Sequence, residues 1–464
     1  MMMVLYSHHL AGAPALAMFS LLCCCASSGM RMPHHQEADE QGVTAGLLGA
    51  GVRGLGATTA FSLYAPEASA VTVAPVDSRV VGWHSTALHK APPTPVASTS
   101  SSCAAALAVS CPGALALGEC SICCGQHQHV LRAAGCSATD CAGYCATSGV
   151  WVGEVAGMLP GDGYVMVVHD QRTGGQADRI DPSCTDISID SSHSIVPASY
   201  TWRNPRKSVP QAEAVIYEML VGAFTPAGTL QAAAEKLPYL AELGITVVEL
   251  MPVMHFCGDS DSWGYCPRAP FAVRPELGGS LGLKRFVDAA ADLNLSVAMD
   301  LVWNHAADDS LLINFDQPHL GKNCDSESGE CGSYFSSGAA EATPWGPRPN
   351  FADQEIRKWI VAQVRMLIDD FHVSAFRWDS TSCIRQAGVK LGDSACDTDN
   401  AEGWLLMQEA NTMAHGGARS SGTWMVAEDT WGAPFPAIWA SVNDTSAAGP
   451  NGTHGGAGFD GQWA

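Results

Sequence analysis

The chain has 464 residues and a formal charge of −22, from 24 Lys and Arg against 46 Asp and Glu. Such a surface repels phosphate backbones and anionic lipid, which excludes nucleic acid and membrane surfaces as main partners and leaves neutral ligands unaffected. The length predicts two or three domains with a core of ordinary size, and the 13 Trp suit core packing first and flat ligand faces second.

In chain order, residues 1–45 read as a targeting-like or disordered segment. "MMMVLYSHHLAGAPALAMFSLLCCCASSG" has an apolar run from about Leu10 to Cys25 followed by small residues. It resembles the apolar region of a secretory signal, yet no Lys or Arg precedes it, and the lack of acids before Glu37 suits a transit peptide as well. The run is short for a membrane span, and nothing later approaches one, so the mature protein is expected to be soluble.

Residues 46–194 read as an all-β module. "TTAFSLYAPEASAVTVAPV" alternates through Phe61/Leu63 and Val71/Val73 around a turn at Ala65–Pro66, and "VWVGEVAG" and "GYVMVVHD" supply further strands. A small immunoglobulin-like β-sandwich is the expected fold. A Cys-rich insertion at about 97–149 interrupts it, with eight of the 18 Cys between Cys103 and Cys145. "CSICC…HQH" offers zinc-ligand types, but no second CxxC follows at finger spacing, so the segment is read as a surface insertion and no metal site is assigned. Cys257 with Cys266, and Cys324 with Cys331, stand close enough in loop-like sequence to pair as disulfides.

From residue 195 to 464 the pattern becomes strand, helix, strand. "AVIYEMLVGAF", "ITVVELMPV", "LSVAMDLVWNH", "SAFRWDST", "TWMVAEDTW" and the terminal "AGFDGQWA" read as strands. Between them "TLQAAAEKLPYLAELG", "LGLKRFVDAAADLN", "ADQEIRKWIVAQVRMLIDDF" and "GWLLMQEANTMAH" read as helices, the first kinked at Pro238 and stopped at Gly244. In the third, Ile356, Ile360, Val364, Leu367 and Phe371 mark one face. This alternation means a parallel sheet, and six strands of it suit a (β/α)8 TIM-type barrel, incomplete at about six strands. A doubly wound sheet is the alternative. No glycine-rich phosphate loop follows the first strand, which speaks against nucleotide binding.

In a β/α barrel, side chains that do chemistry sit where strands end, and the polar surprises of this sequence lie there. The third strand ends in Asp300, Asn304 and His305, the fourth in Arg377 and Asp379, the fifth in Glu428 and Asp429 before Trp431. After the second strand comes "DSWGYCP", with Trp263 and Tyr265. Arg377 and Asp379 share one strand face, and a buried charge is costly unless paired or used. Taken singly, Asp379 before Ser-Thr-Ser suits a helix cap, His305 a loop residue and Asp429 a solvated loop end. Together, two acids and an Arg converge on one rim, and two carboxyls flanking a bond are the equipment of glycoside cleavage.

"DLVWNH", "AFRWDSTS" and "AEDTW" resemble, in order, three signature regions of the α-amylase family (glycoside hydrolase family 13). "VIYEMLVGAFTPAGTLQAAAEKLPYLAELGITVVELMPV" is similar to the branching-enzyme and trehalohydrolase branch, while "FRWDSTSCIR" and "AGFDGQW" look closer to 1,4-α-glucan branching enzymes. The resemblance runs from about Val150 to the end. It implies that Asp379 is the nucleophile of a retaining double displacement on an α-1,4-glucan and that Glu428 is the acid and base. Arg377 would keep Asp379 ionised, and apolar surroundings would keep a proton on Glu428. The two carboxyls would stand about 5–5.5 Å apart. Tyr265, His305, Asn304, Asp300 and Trp263 would bind substrate or brace the site.

By the same resemblance the N-terminal module is carbohydrate-binding-like, the partner is an α-glucan polysaccharide or oligosaccharide, and no organic cofactor is needed. The acidity of "NCDSESGEC" is too mild to claim a calcium site. Cytoplasm or plastid is the implied compartment, with secretion the alternative left by the N-terminus. The family's fourth signature, a His-Asp after a seventh strand, has no counterpart before Ala464, so a C-terminally truncated barrel is expected. Branching is the expected reaction. The alternatives are an α-glucan hydrolase of the trehalohydrolase or isoamylase type and a non-catalytic glucan-binding fragment.

Overall fold

The structure, a computed structural model, describes residues 53–54, 58–77, 83–90, 149–321, 324, 331–337, 342–389, 396–417, 420–429, 436–444, 446–450 and 453–463. The N-terminal segment, the Cys-rich insertion up to residue 148, and Trp431 lie outside these residues. Among the described residues no helix is long and apolar enough to cross a membrane.

The alternating apolar positions of the N-terminal half close two antiparallel sheets. Thr58–Tyr64 pairs with Val150–Ala156 along its whole length, so residues on either side of the insertion are direct neighbours. Ala68–Pro75 pairs with Gly163–Asp170 in the second sheet. Phe61 of the first sheet meets Tyr164 of the second edge to face at 5.5 Å, and Leu63, Val71, Val73 and Met166 are buried with them.

The second half forms a six-stranded sheet: β1 (Ile216–Met219), β2 (Val247–Leu250), β3 (Ser296–Leu301), β4 (Ala375–Trp378), β5 (Trp424–Glu428) and β6 (Gly461–Trp463). Every neighbouring pair is parallel and the order follows the chain without reversal. A doubly wound sheet reverses its order at a switch point; an incomplete β/α barrel does not, and this sheet is of the second kind.

The helices follow from local signals. Helix α1 (Gly279–Asp292) precedes β3. Helix α2 (Gln354–Asp369) is capped by Asp353, whose side chain accepts from Glu355 N at 2.8 Å, and buries Ile356, Ile360, Val364 and Leu367. Losing the Ile360 side chain from that face costs about 2–5 kcal/mol. Helix α3 (Ala401–Gly416) is capped by Asn400. The expected kinked helix at 229–244 is instead two short ones, Leu230–Ala234 and Leu237–Glu242, with Pro238 in the first turn of the second. There the missing N–H is no loss. Gly244 ends the second at φ +88°.

Register fixes which side chains share a face. Glu218, Glu249, Ala298, Ala375 and Trp424 lie level across β1 to β5, and two residues along come Asp300, Arg377 and Val426. Side chains of the opposite face, among them Val248, Met299, Phe376, Trp378 and Met425, join the main core. The sheet therefore has an apolar face under its helices and a second face on which the ionisable side chains collect.

Candidate active site

Arg377 and Asp300 are register partners, and Asp379 and Glu428 each lie two residues beyond this level on the same face. The Arg377 guanidinium gathers all three carboxyls. Its Nη1 lies 2.7 Å from Asp300 Oδ2 and 2.9 Å from Asp379 Oδ1, and its Nη2 lies 2.8 Å from Glu428 Oε2. The charged pair that interrupts an otherwise apolar strand is thus the centre of a shared ion cluster. Asn304 donates to Asp379 Oδ2 at 2.7 Å and to its carbonyl at 2.9 Å. The Tyr265 hydroxyl donates to Asp300 Oδ2 at 2.6 Å, and its ring faces Arg377 at 5.6 Å. His305 Nε2 lies 2.9 Å from the Tyr265 carbonyl, and its Nδ1 faces Asn304 Oδ1.

Seven of the eight expected residues therefore touch one another. The eighth, Trp263, is 68% exposed in the loop that the Cys257–Cys266 disulfide closes, and among the described residues it meets none of the cluster. The Cys324–Cys331 pair is also formed. A third disulfide, Cys383–Cys396, joins residues 13 apart that sequence spacing did not single out.

Burial dominates the electrostatics. It raises the Asp300 pKa against the pull of Arg377. Burial, with the charge of Asp300 added, also raises the Asp379 pKa although Arg377 and Asn304 oppose the shift. Arg377 pulls Asp379 toward the ionised form, the direction expected from the sequence, while burial and the neighbouring Asp300 charge turn the net direction upward. Glu428 is raised as well, by burial against the pull of Arg377, which is the direction a proton donor needs. Burial pushes the His305 pKa down to about 4 and raises that of Tyr265. The phenol remains a hydrogen-bond donor to Asp300.

Several residues of the site escaped sequence reading. Glu249 on β2 is 2% exposed, its Oε1 has no hydrogen-bond partner, and burial with the charge of Asp300 pushes its pKa up to about 8. The signal was present, since a lone acid in "ITVVELMPV" is the same anomaly that singled out Arg377. Trp345 stands at the turn between Ala342–Thr343 and Gly346–Pro347, its ring 5.5 Å from that of His305; nothing in local sequence separates it from a core Trp. Asp429, read as a solvated loop end, is instead 2% exposed and paired with Arg385 at 2.8 Å. Among the described residues no group of three His, Cys, Asp or Glu is arranged to hold a metal ion.

A parallel β/α sheet with carboxyls converging at its strand ends is a framework that can carry glycoside cleavage. Residues 192–319 match the family described as "Alpha amylase, catalytic domain", so this stretch of the β/α half is similar to that family's catalytic domain. It is 34% identical over 194 residues to the malto-oligosyltrehalose trehalohydrolase of Saccharolobus solfataricus, covering 41% of this chain and 31% of that protein. It is 27% identical over 298 residues to the glycogen operon protein GlgX homolog of Haemophilus influenzae, covering 54% of this chain and 44% of that protein. The chain thus spans less than half the length of these relatives. In fold it is similar to the type I pullulanase of Bacillus subtilis complexed with maltose, with a TM-score of 0.54 at 17% identity over 83% of this chain and 48% of the other.

Proposed function

We propose that the chain acts on α-linked gluco-oligosaccharides by retaining double displacement with water as the acceptor, as an α-glucan hydrolase of the trehalohydrolase or isoamylase type. The observation that carries this reading is the single guanidinium that holds Asp300, Asp379 and Glu428 together at the strand ends. Asp379 attacks the anomeric carbon. Glu428 gives its proton to the departing glycosidic oxygen, leaving a covalent glucosyl ester on Asp379. The same Glu428, now a carboxylate, takes a proton from water as that water attacks the anomeric carbon and frees Asp379. Asn304 fixes the orientation of Asp379. His305 and the half-exposed Trp345 beside it supply a hydrogen-bonding and stacking wall for a sugar.

The curated relatives support hydrolysis over the branching read from "FRWDSTSCIR" and "AGFDGQW", since several are named trehalohydrolases. The intact cluster speaks against a purely glucan-binding role. Maltohexaose, amylose, malto-oligosyltrehalose and glycogen are incubated with the protein, and products are separated by anion-exchange chromatography, with α-1,6 linkages read by proton NMR. Hydrolysis predicts new reducing ends, or released trehalose, with no gain of α-1,6 signals, and their loss in Asp379→Asn. New α-1,6 linkages at a constant number of reducing ends would reinstate branching.

A further inference from the structure

The backbone that leaves Asp379 does not lead away from the site but is strapped across the end of β5. The Ser380 amide donates to Glu428 Oε2 at 2.9 Å. The amide and hydroxyl of Thr381 both donate to the Glu428 carbonyl, each at 2.8 Å. Ser380 takes φ +41° to allow this, a left-handed conformation that a residue with a Cβ adopts only when its surroundings impose it. The strap ends at Arg385, whose Nε and Nη2 each donate at 2.8 Å to the two oxygens of Asp429, the residue after Glu428. Thr381 Oγ1 adds a contact of 3.3 Å to the same carboxylate. Both side chains are buried, Arg385 at 11% exposure and Asp429 at 1%. Neither lies among the groups that meet the bond to be cleaved.

Asp379 thus begins the strap and Arg385 closes it, onto Glu428 at the end of β5 and Asp429 directly after it. A buried ion pair is a poor source of stability, since a well-packed apolar pair does as well or better. A two-pronged Arg–carboxylate contact is a good source of orientation. We propose that Arg385 and Asp429 are positioning residues that set the placement of the Asp379 carboxyl against the Glu428 carboxyl. The proposal rests on the glycoside-cleaving reading above and adds a pair that touches no substrate.

The experiment compares Asp429→Asn, the apolar double variant Arg385→Met/Asp429→Leu, and Asp379→Asn with the full wild-type chain. Turnover of maltohexaose, malto-oligosyltrehalose and glycogen and melting temperature are measured, together with the rate at which 5-fluoro-α-glucosyl fluoride labels Asp379, read by intact mass. Asp429→Asn is expected to lower kcat and labelling about 100-fold with KM within about threefold. The double variant is expected to melt near the wild type and still turn over slowly, which a merely structural pair would not show. A double variant, or Asp429→Asn, with wild-type kcat and labelling overturns the proposal and leaves the hydrolase reading standing. Wild-type turnover in Asp379→Asn, or a wild-type chain that neither turns over nor labels, removes both.

Discussion

Replacing Arg377 by Lys keeps the positive charge and removes the fork, which makes it the sharpest perturbation of the cluster. The guanidinium spans Asp300 and Asp379 with one nitrogen, at 2.7 and 2.9 Å, and reaches Glu428 with the other, at 2.8 Å. An ammonium is a point charge on a shorter reach; it serves one end of this span and leaves a carboxyl at the other end without its cation. Loss of one hydrogen bond to a buried charge costs about 1.5–3 kcal/mol, and losing the whole cation, as in Arg377→Met, costs about 3–5 kcal/mol. Because the carboxyls are then no longer held in one geometry, Arg377→Lys is expected to lower kcat about 100-fold. The pH profile moves as well. Arg377 opposes the burial that raises Asp379, so weakening it raises that pKa further. Asp379 must be ionised to attack, so the acid limb of activity shifts to higher pH. Initial rates on maltohexaose from pH 4 to 9, with melting temperatures over the same range, read both effects. A variant with turnover within about threefold of the wild type and an unmoved acid limb would refute the guanidinium as organiser of the site.

Three further outcomes are expected. The Glu249 pKa is raised to about 8, so the folded state holds a proton that the unfolded chain releases near the ordinary carboxyl value. Stability therefore falls as pH rises through the window from about 4.5 to 8, and Glu249→Gln should flatten that fall in thermal melts at pH 5, 7 and 8.5; an unchanged slope would place the proton elsewhere. The His415 pKa is raised, first by its hydrogen bond to Asp460, so its stabilisation is fully present below about 6.5 and lost as pH rises through the folded value. His415→Ala should accordingly lower the melting temperature more at pH 6 than at pH 9, and an equal loss at both would show that only packing was removed. Trp345→Ala should raise KM for maltohexaose about tenfold, as one lost stacking contact, with little change in kcat; unchanged KM would remove Trp345 from the sugar path.

What was legible in the sequence was what rests on local pattern. Periodicity located the strands of the β/α half, and the anomaly of charge in an apolar strand found Arg377, Asp379 and, one strand away, Asp300. What escaped depends on distance along the chain. Arg385 and Asp429 are 44 residues apart, and Asp429 gave no sign of burial because the residue that satisfies it is on another strand's loop. The direction of the Asp379 shift also depends on assembly, since it follows from Asp300 and from burial, neither of which is set by Arg377 two residues away. Glu249 is the exception that was readable and not read: its strand carries one acid among apolar residues, and no partner two residues away drew attention to it.

The long loop after β3 shows why the N-terminal sheets matter to a site they do not enter. Asp316 of that loop accepts from the backbone of Glu67 at 3.0 Å, and the Tyr334 hydroxyl donates to the carbonyl of Tyr64 at 2.9 Å. Arg179 donates to the carbonyls of Asn314 and Phe315, and His319 pairs with Asp170 at 2.5 Å. The loop's other end returns to the site, where Ala306 N donates to the Pro347 carbonyl at 2.8 Å and Trp345 faces His305. A loop of this length has many conformations to lose, and its own short hairpin and disulfide fix only parts of it. The sheets add further anchors at residues 314–319 and at Tyr334, on the stretch of loop that leads toward Trp345. A chain lacking the sheets would leave the Tyr334 hydroxyl without the Tyr64 carbonyl and Asp316 without the Glu67 amide, and would loosen Trp345 while leaving the Arg377 cluster its own hydrogen bonds. Recognition of sugar should therefore suffer before bond cleavage does.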